Sequence, residues 1–179
     1  MSASDWNKEQ VRILEYSIDE VLKQDLVTME FASIRYKDED EWLVDLVKYW
    51  AWKDTYIINE KLKTVDNPHI RLIRMINFSM VNNRYAKLFL KLREFELPLE
   101  AYQIIEEVNR IKEEFIIKLF TDKGLPENYG KKQFNKIRPA FYGWISDKDD
   151  VIKSDLQKAD FWGFLKGFMF PHLFEEKEV

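Results

Sequence analysis

The sequence contains no cysteine. That excludes disulfides, thiol catalysis and cysteine-ligated zinc, and it fits a reducing compartment. Glycine and proline number only five each in 179 residues. Such sparse punctuation disfavours a sheet protein rich in turns and favours long helices. Histidine is also scarce, with only His69 and His172. No Glu-x-x-His pair of the helical metal-site kind occurs, so no metal or cofactor is expected. The start, MSASDWNKEQ, has no apolar segment of the signal-peptide type. The longest apolar stretch, 161–170, is broken by Lys166 and too short to span a bilayer. A cytoplasmic protein is expected. Basic excess is missing too: the formal charge is −4 and the pI about 5.4, unlike a typical nucleic-acid binder.

What the chain does have is aromatic and apolar mass. Hydrophobic residues make up 46% and aromatic residues 15%, enough to bury a substantial core in one domain. The densest stretch is 38–63, DEDEWLVDLVKYWAWKDTYIINEKLK, which lacks Gly and Pro and holds Trp42, Trp50 and Trp52. It predicts a long central helix. Leu43, Leu46, Val47, Tyr49, Trp50, Ile57, Ile58 and Leu62 surround it with apolar surface, as on a helix packed from several sides. Four consecutive acids, Asp38 to Glu41, suit the positive end of its dipole.

The other elements follow from spacing and stop signals. A first helix begins at Ser4 or Asp5 and runs to about Lys23, with Val11, Leu14, Ile18, Val21 and Leu22 inward. A short helix is placed at 29–34. Asn67 caps and Pro68 opens the helix that follows the central one, carrying Ile70, Ile73, Ile76 and Met80. A break falls at 81–83, followed by a helix over 85–95. Leu97-Pro98 opens another long helix, closed by Gly124, Leu125 and Pro126. A further helix carries Phe134, Ile137, Phe141 and Trp144, with Pro139 inside it as a kink or join. Ser146 or Asp147 caps the last helix. The prediction is an all-α bundle of about seven to nine helices.

Several patterns together resemble the TetR family of transcriptional regulators. Residues 33–50, SIRYKDEDEWLVDLVKYW, are similar to the family's join between head and body. Asp66-Asn67-Pro68 with Arg71-Leu72 resembles the start of a body helix. Residues 88–126 look like the paired body helices: Arg93, Phe95, Val108-Asn109-Arg110 and the closing Gly124-Leu125 fall near family positions. The resemblance covers roughly 34–144. It implies a short N-terminal region over 1–37 and a ligand-binding, dimerising body over 38–174. It also makes the 38–63 helix a connector between ligand site and head.

The head departs from that family. A helix-turn-helix needs on the order of 20 residues, more than remain between the first helix and Tyr36. Residues 1–41 hold five basic and eleven acidic side chains, a net of −6. Phosphate neutralisation dominates DNA affinity, so this charge opposes direct DNA binding.

The resemblance implies a small apolar or amphipathic ligand within the body. Its site is expected to draw on Trp50, Phe78, Tyr85, Phe89 and Tyr102, with Arg74, Asn77 and Asn109 as polar handles. The final helices carry more aromatic surface than one inward stripe needs. Phe141, Trp144, Phe161, Trp162, Leu165 and Phe168 are therefore expected to form a homodimer interface. A membrane-surface helix is the rival for that face, and Asp155 and Asp160 argue against it. Glu106, Glu107, Glu113 and Glu114 read as a solvated helix face rather than a catalytic pair. No residue is assigned a catalytic role. The sequence thus points to a non-enzymatic regulator or ligand sensor. The alternative is a lipid- or isoprenoid-binding accessory protein that shares the fold and does not bind DNA.

Overall fold

The computed structural model describes residues 5–23, 36–81 and 83–146. Among them every regular element is helical: α1 (Lys8–Lys23), α2 (Glu39–Tyr56), a π-helical turn (Ile57–Lys61), α3 (Pro68–Val81), α4 (Asn83–Leu92), α5 (Leu99–Thr121) and α6 (Glu127–Ser146). The expected 29–34 helix and the last helix, with Phe161, Trp162, Leu165 and Phe168, lie outside the described residues. Among the described residues, no helix is long and apolar enough to cross a membrane.

The helices divide into two units. Unit 1 comprises Met1–Tyr56 and Asn83–Arg110; unit 2 comprises Ile57–Asn82 and Ile111–Val179. The division does not follow a 37/38 boundary, because α1 shares unit 1 with α2. The chain crosses between units where α2 gives way to the π-helical turn, at the α3–α4 break, and within α5.

In unit 1, α1 packs on α2 and α4, and α2 packs on α4. Because α2 has neighbours on more than one side, its buried residues run around the cylinder: Trp42, Leu43, Leu46, Val47, Tyr49, Trp50 and Ala51. Its acidic start is partly consumed in capping. The Asp38 carboxylate accepts the N–H of Glu41 at 2.8 Å, and the Glu41 carboxylate accepts the N–H of Lys37 at 2.9 Å. These bonds satisfy donors that a helix start leaves open.

The cap of α1 is Asn7, not Ser4 or Asp5. Asn7 Oδ1 accepts the N–H of Gln10 at 2.9 Å, and Gln10 Oε1 accepts the N–H of Asn7 at 3.0 Å. This reciprocal pair is a capping box. It makes Trp6 the residue before the cap, and Trp6 turns inward. Its ring meets Tyr49 edge-on at 5.5 Å and Trp52 at 5.5 Å.

Unit 2 has a core of Leu62, Leu72, Ile76, Met80, Phe115, Ile116, Leu119, Phe120 and Phe134. Asn67 caps α3 by accepting the N–H of Ile70 at 3.1 Å, with Pro68 in the first turn. The end of α5 follows from Gly124, whose φ is 81°. The N–H of Leu125 reaches the Phe120 carbonyl at 3.0 Å and that of Gly124 reaches the Thr121 carbonyl at 2.9 Å. Those two bonds are a Schellman motif, which favours glycine at the left-handed position. α6 continues through Pro139 as one helix, although the ring removes a donor that the helix would use.

Gly130 of α6 is there for proximity. A Cβ on it would lie 2.8 Å from the Cα of Ile117 on α5. Gly→Ala inside a helix ordinarily stabilises by about 1 kcal/mol. Here Gly130→Ala is expected to destabilise by about 1–3 kcal/mol, since backbone must move to admit the methyl group. Urea unfolding measures the sign directly.

Candidate functional site

The polar chemistry of unit 1 gathers on two carboxylates. The first is Glu15 on α1. It sits on the inward side of that helix between Leu14 and Ile18, both fully buried. Its side chain accepts hydrogen bonds from Arg84 Nη1 and from the hydroxyls of Tyr49 and Tyr85, the last at 3.2 Å. Arg84 also donates to the Glu15 carbonyl and to Asp19 Oδ1, both at 2.9 Å. Side chains from α1, α2 and α4 thus meet at one carboxylate.

Electrostatics fix the charge states of this hub. Burial works to raise the pKa of Glu15, but hydrogen bonds from Arg84 and Tyr49 and the guanidinium charge outweigh it and hold it below the ordinary value. Burial likewise opposes the charge of Arg84, and its bonds to Glu15 and Asp19 overcome that, raising its pKa. Burial and then the bond to Glu15 push the Tyr49 phenol up. Burial and then the Glu15 charge push Tyr85 up to about 12. The hub is therefore a fixed ion pair flanked by neutral phenols. A carboxylate held ionised by three donors is a poor general base near neutrality.

The signs give a pH dependence. Glu15 has a depressed pKa when folded, so its contribution is present above the unfolded carboxylate value, about 4.3, and is lost as pH falls through the folded value. Tyr85 has a raised pKa, so its contribution is present below the ordinary phenol value and is lost as pH rises through about 12. Chemical denaturation across pH is expected to show both arms. The acid arm should shrink in Glu15→Gln.

The second carboxylate is Asp45 on α2. Trp6 Nε1 donates to its Oδ1 at 3.1 Å, and the Tyr36 hydroxyl donates to its Oδ2. Asp45 lines a cavity of about 500 Å³, with Gln10, Tyr36, Asp40, Glu41, Val44, Lys48, Pro98 and Glu100 around it. Five of those residues, Asp40, Glu41, Val44, Asp45 and Lys48, come from the first turns of α2. Lys48 Nζ stands 3.0 Å from Glu100.

The residues expected to bind ligand fall in both units. Trp50 and Phe89 stack on each other at 5.1 Å in unit 1. Both are buried, and among the described residues Trp50 Nε1 has no hydrogen-bond partner. Tyr85 belongs to the Glu15 hub. Tyr102, on the first half of α5, is exposed; Asn109 lies farther along the same helix. Arg74, Asn77 and Phe78 lie on α3 in unit 2, the first two exposed. None of these eight lines the cavity at the start of α2. Of the expected interface residues, Phe141 and Trp144 pack against the unit 2 core from α6. No group of three or more acidic or histidine side chains among the described residues is placed to hold a metal ion.

Sequence reasoning missed Glu15, Arg84, Asp45 and the cavity wall. A signal existed for two of them. Glu15 falls beside the apolar stripe of α1, and Asp45 falls between Trp42 and Tyr49 on α2, so each is an acid on an inward face. Pro98 and Glu100 carry no such signal, because only the fold brings the start of α5 to α2. Comparison of the chain with family models, with curated proteins and with solved structures gave no match.

Proposed function

We propose that this protein is a non-catalytic ligand sensor with a TetR-like helical body, acting without direct contact to DNA. One observation carries the reading: a cavity of about 500 Å³ is walled by the first turns of α2, a size in the range of small-molecule sites, roughly 300–1,000 Å³. A ligand there would touch the helix that the family resemblance makes the connector. It would also bear on Asp45, which is bonded to Trp6 before α1 and to Tyr36 before α2. Occupancy thus has a physical route to both segments. The net −6 of residues 1–41 supports an output other than phosphate contact. In this reading the protein is a homodimer joined through its last helices.

Native mass spectrometry of the purified protein tests this reading, because it reports oligomer and retained small molecule together. A dimer with a bound mass is expected. Trp6 should report occupancy through its fluorescence, since its indole bonds to a cavity residue. A gel shift with DNA from upstream of its own gene should show no complex at low salt. A monomer that retains nothing, and whose fluorescence no small molecule perturbs, would overturn the sensor reading; a low-salt shift would restore a DNA role.

A further inference from the structure

Building on the sensor reading, we infer that the cavity at the start of α2 takes a small organic cation, an ammonium group attached to a compact apolar body. The cavity supplies the volume and its lining supplies the charge. Asp40, Glu41, Asp45 and Glu100 face one cation, Lys48, which leaves a net of −3. Neutral donors do not cancel that charge. Asp45 is held by an indole N–H and a phenol O–H, and Glu41 by the backbone N–H of Lys37. Lys48 pairs with Glu100 at 3.0 Å, but both side chains are more than a third exposed, so the pair is weak and solvent-screened. The start of α2 offsets only about half a charge. A concave wall of net negative charge favours an entering cation, and less so as salt rises, because Asp40, Glu41 and Glu100 are exposed.

The remaining lining decides what kind of cation fits. Val44 and Pro98 give the cavity apolar surface, and Tyr36 stands in its wall. A bare divalent ion is a poorer occupant. Calcium requires six to eight oxygens closing around it at about 2.3–2.6 Å, whereas this space is several water molecules wide and no such oxygen group is assembled among the described residues. A lipid tail is also disfavoured, because it would strip water from several carboxylates without pairing them.

Three probes of one skeleton test the inference by calorimetry and Trp6 fluorescence: 4-phenylbutylamine, 4-phenylbutanol and 4-phenylbutyrate. The amine should bind about tenfold or more tighter than the alcohol, and the acid weakest, with amine affinity falling as salt rises. Asp40→Asn and Glu100→Gln, each removing a charge from the rim, should each weaken the amine several-fold and leave the alcohol unchanged. Equal binding of alcohol and amine would overturn the cation class while leaving the sensor reading intact. Amine binding indifferent to both substitutions would overturn the location. Competition by calcium chloride at matched ionic strength would reassign the site to a metal ion. No binding by any of the three would overturn the inference outright, and the sensor reading would then stand or fall on the mass retained in the native spectrum.

Discussion

Trp42→Ala is expected to lower the unfolding free energy by about 3–5 kcal/mol, the range for removing a buried aromatic side chain. Trp42 is 0% exposed and stands where α2 faces α1. Its indole N–H donates to Ser17 Oγ at 3.0 Å, and the Ser17 hydroxyl donates to the Ile13 carbonyl at 2.7 Å. A relay of this kind separates packing from hydrogen bonding. Trp42→Phe keeps a six-membered ring and loses the indole donor together with the atoms of the second ring. Ser17 still gives its own proton to Ile13, so the cost should be only about 1–2 kcal/mol. Ser17→Ala removes the acceptor instead and strands a buried N–H, at about 1–3 kcal/mol. The expected order in urea denaturation is Trp42→Ala worst, then Ser17→Ala, then Trp42→Phe. If Trp42→Phe matched Trp42→Ala, the relay rather than the packing would hold α1 on α2.

The same residues show what was legible beforehand. The 38–63 stretch reads as a helix apolar on several sides, and α2 is one, because a Gly- and Pro-free run this rich in Leu, Val and Trp has few alternatives. Asn67-Pro68 and Gly124 were also readable, since each ends or starts a helix by local chemistry that needs no distant partner. The change to π-helical winding at Ile57 was not readable. Its bond from the Leu62 N–H to the Ile57 carbonyl at 2.9 Å replaces an ordinary helical bond at no compositional cost. Thr55 just before it donates to the Ala51 carbonyl at 2.6 Å, a back-bond that bends helices. The cap of α1 was readable and overlooked: Asn7-x-x-Gln10 is a capping box in plain sequence.

The candidate site was less legible because it depends on pairs far apart in the chain. Arg84 lies at the start of α4, beside a break that reads as mere punctuation. Nothing local tells it to reach Glu15 and Asp19. Aromatic residues drew attention to Trp50 and Phe89, but aromatic mass marks burial before it marks a cavity, and these two fill space by stacking on each other. The acidic run Asp38–Glu41 was visible as a helix start. That Asp40 and Glu41 also wall a cavity with Pro98 and Glu100 is a tertiary fact.

Removing Glu15 is the second large effect expected. Glu15→Ala should cost about 2–3 kcal/mol. That is below the roughly 3–5 kcal/mol for breaking a fully buried pair, because both partners keep about a third of their side-chain surface in water. The loss falls on three donors at once: the fully buried Tyr49 and the half-buried Arg84 and Tyr85 each lose an acceptor. Glu15→Gln keeps the shape and one acceptor oxygen and should cost less. Arg84→Met leaves Glu15 with phenol donors only, so its carboxylate should titrate closer to the ordinary value and the acid arm of stability should shrink. A double-mutant cycle between Glu15→Gln and Arg84→Met isolates the pair, with an expected coupling of about 1–2 kcal/mol. The hub also determines how α1 is retained. Arg84 reaches α1 at the Glu15 side chain, the Glu15 carbonyl and Asp19, so hydrogen exchange in α1 should accelerate in Arg84→Met more than exchange in α6 of unit 2. Equal acceleration in both would mean that the variant lowers global stability and that the hub is not a local clasp. A coupling near zero would mean that the phenols and packing, not the ion pair, hold α1 to α4.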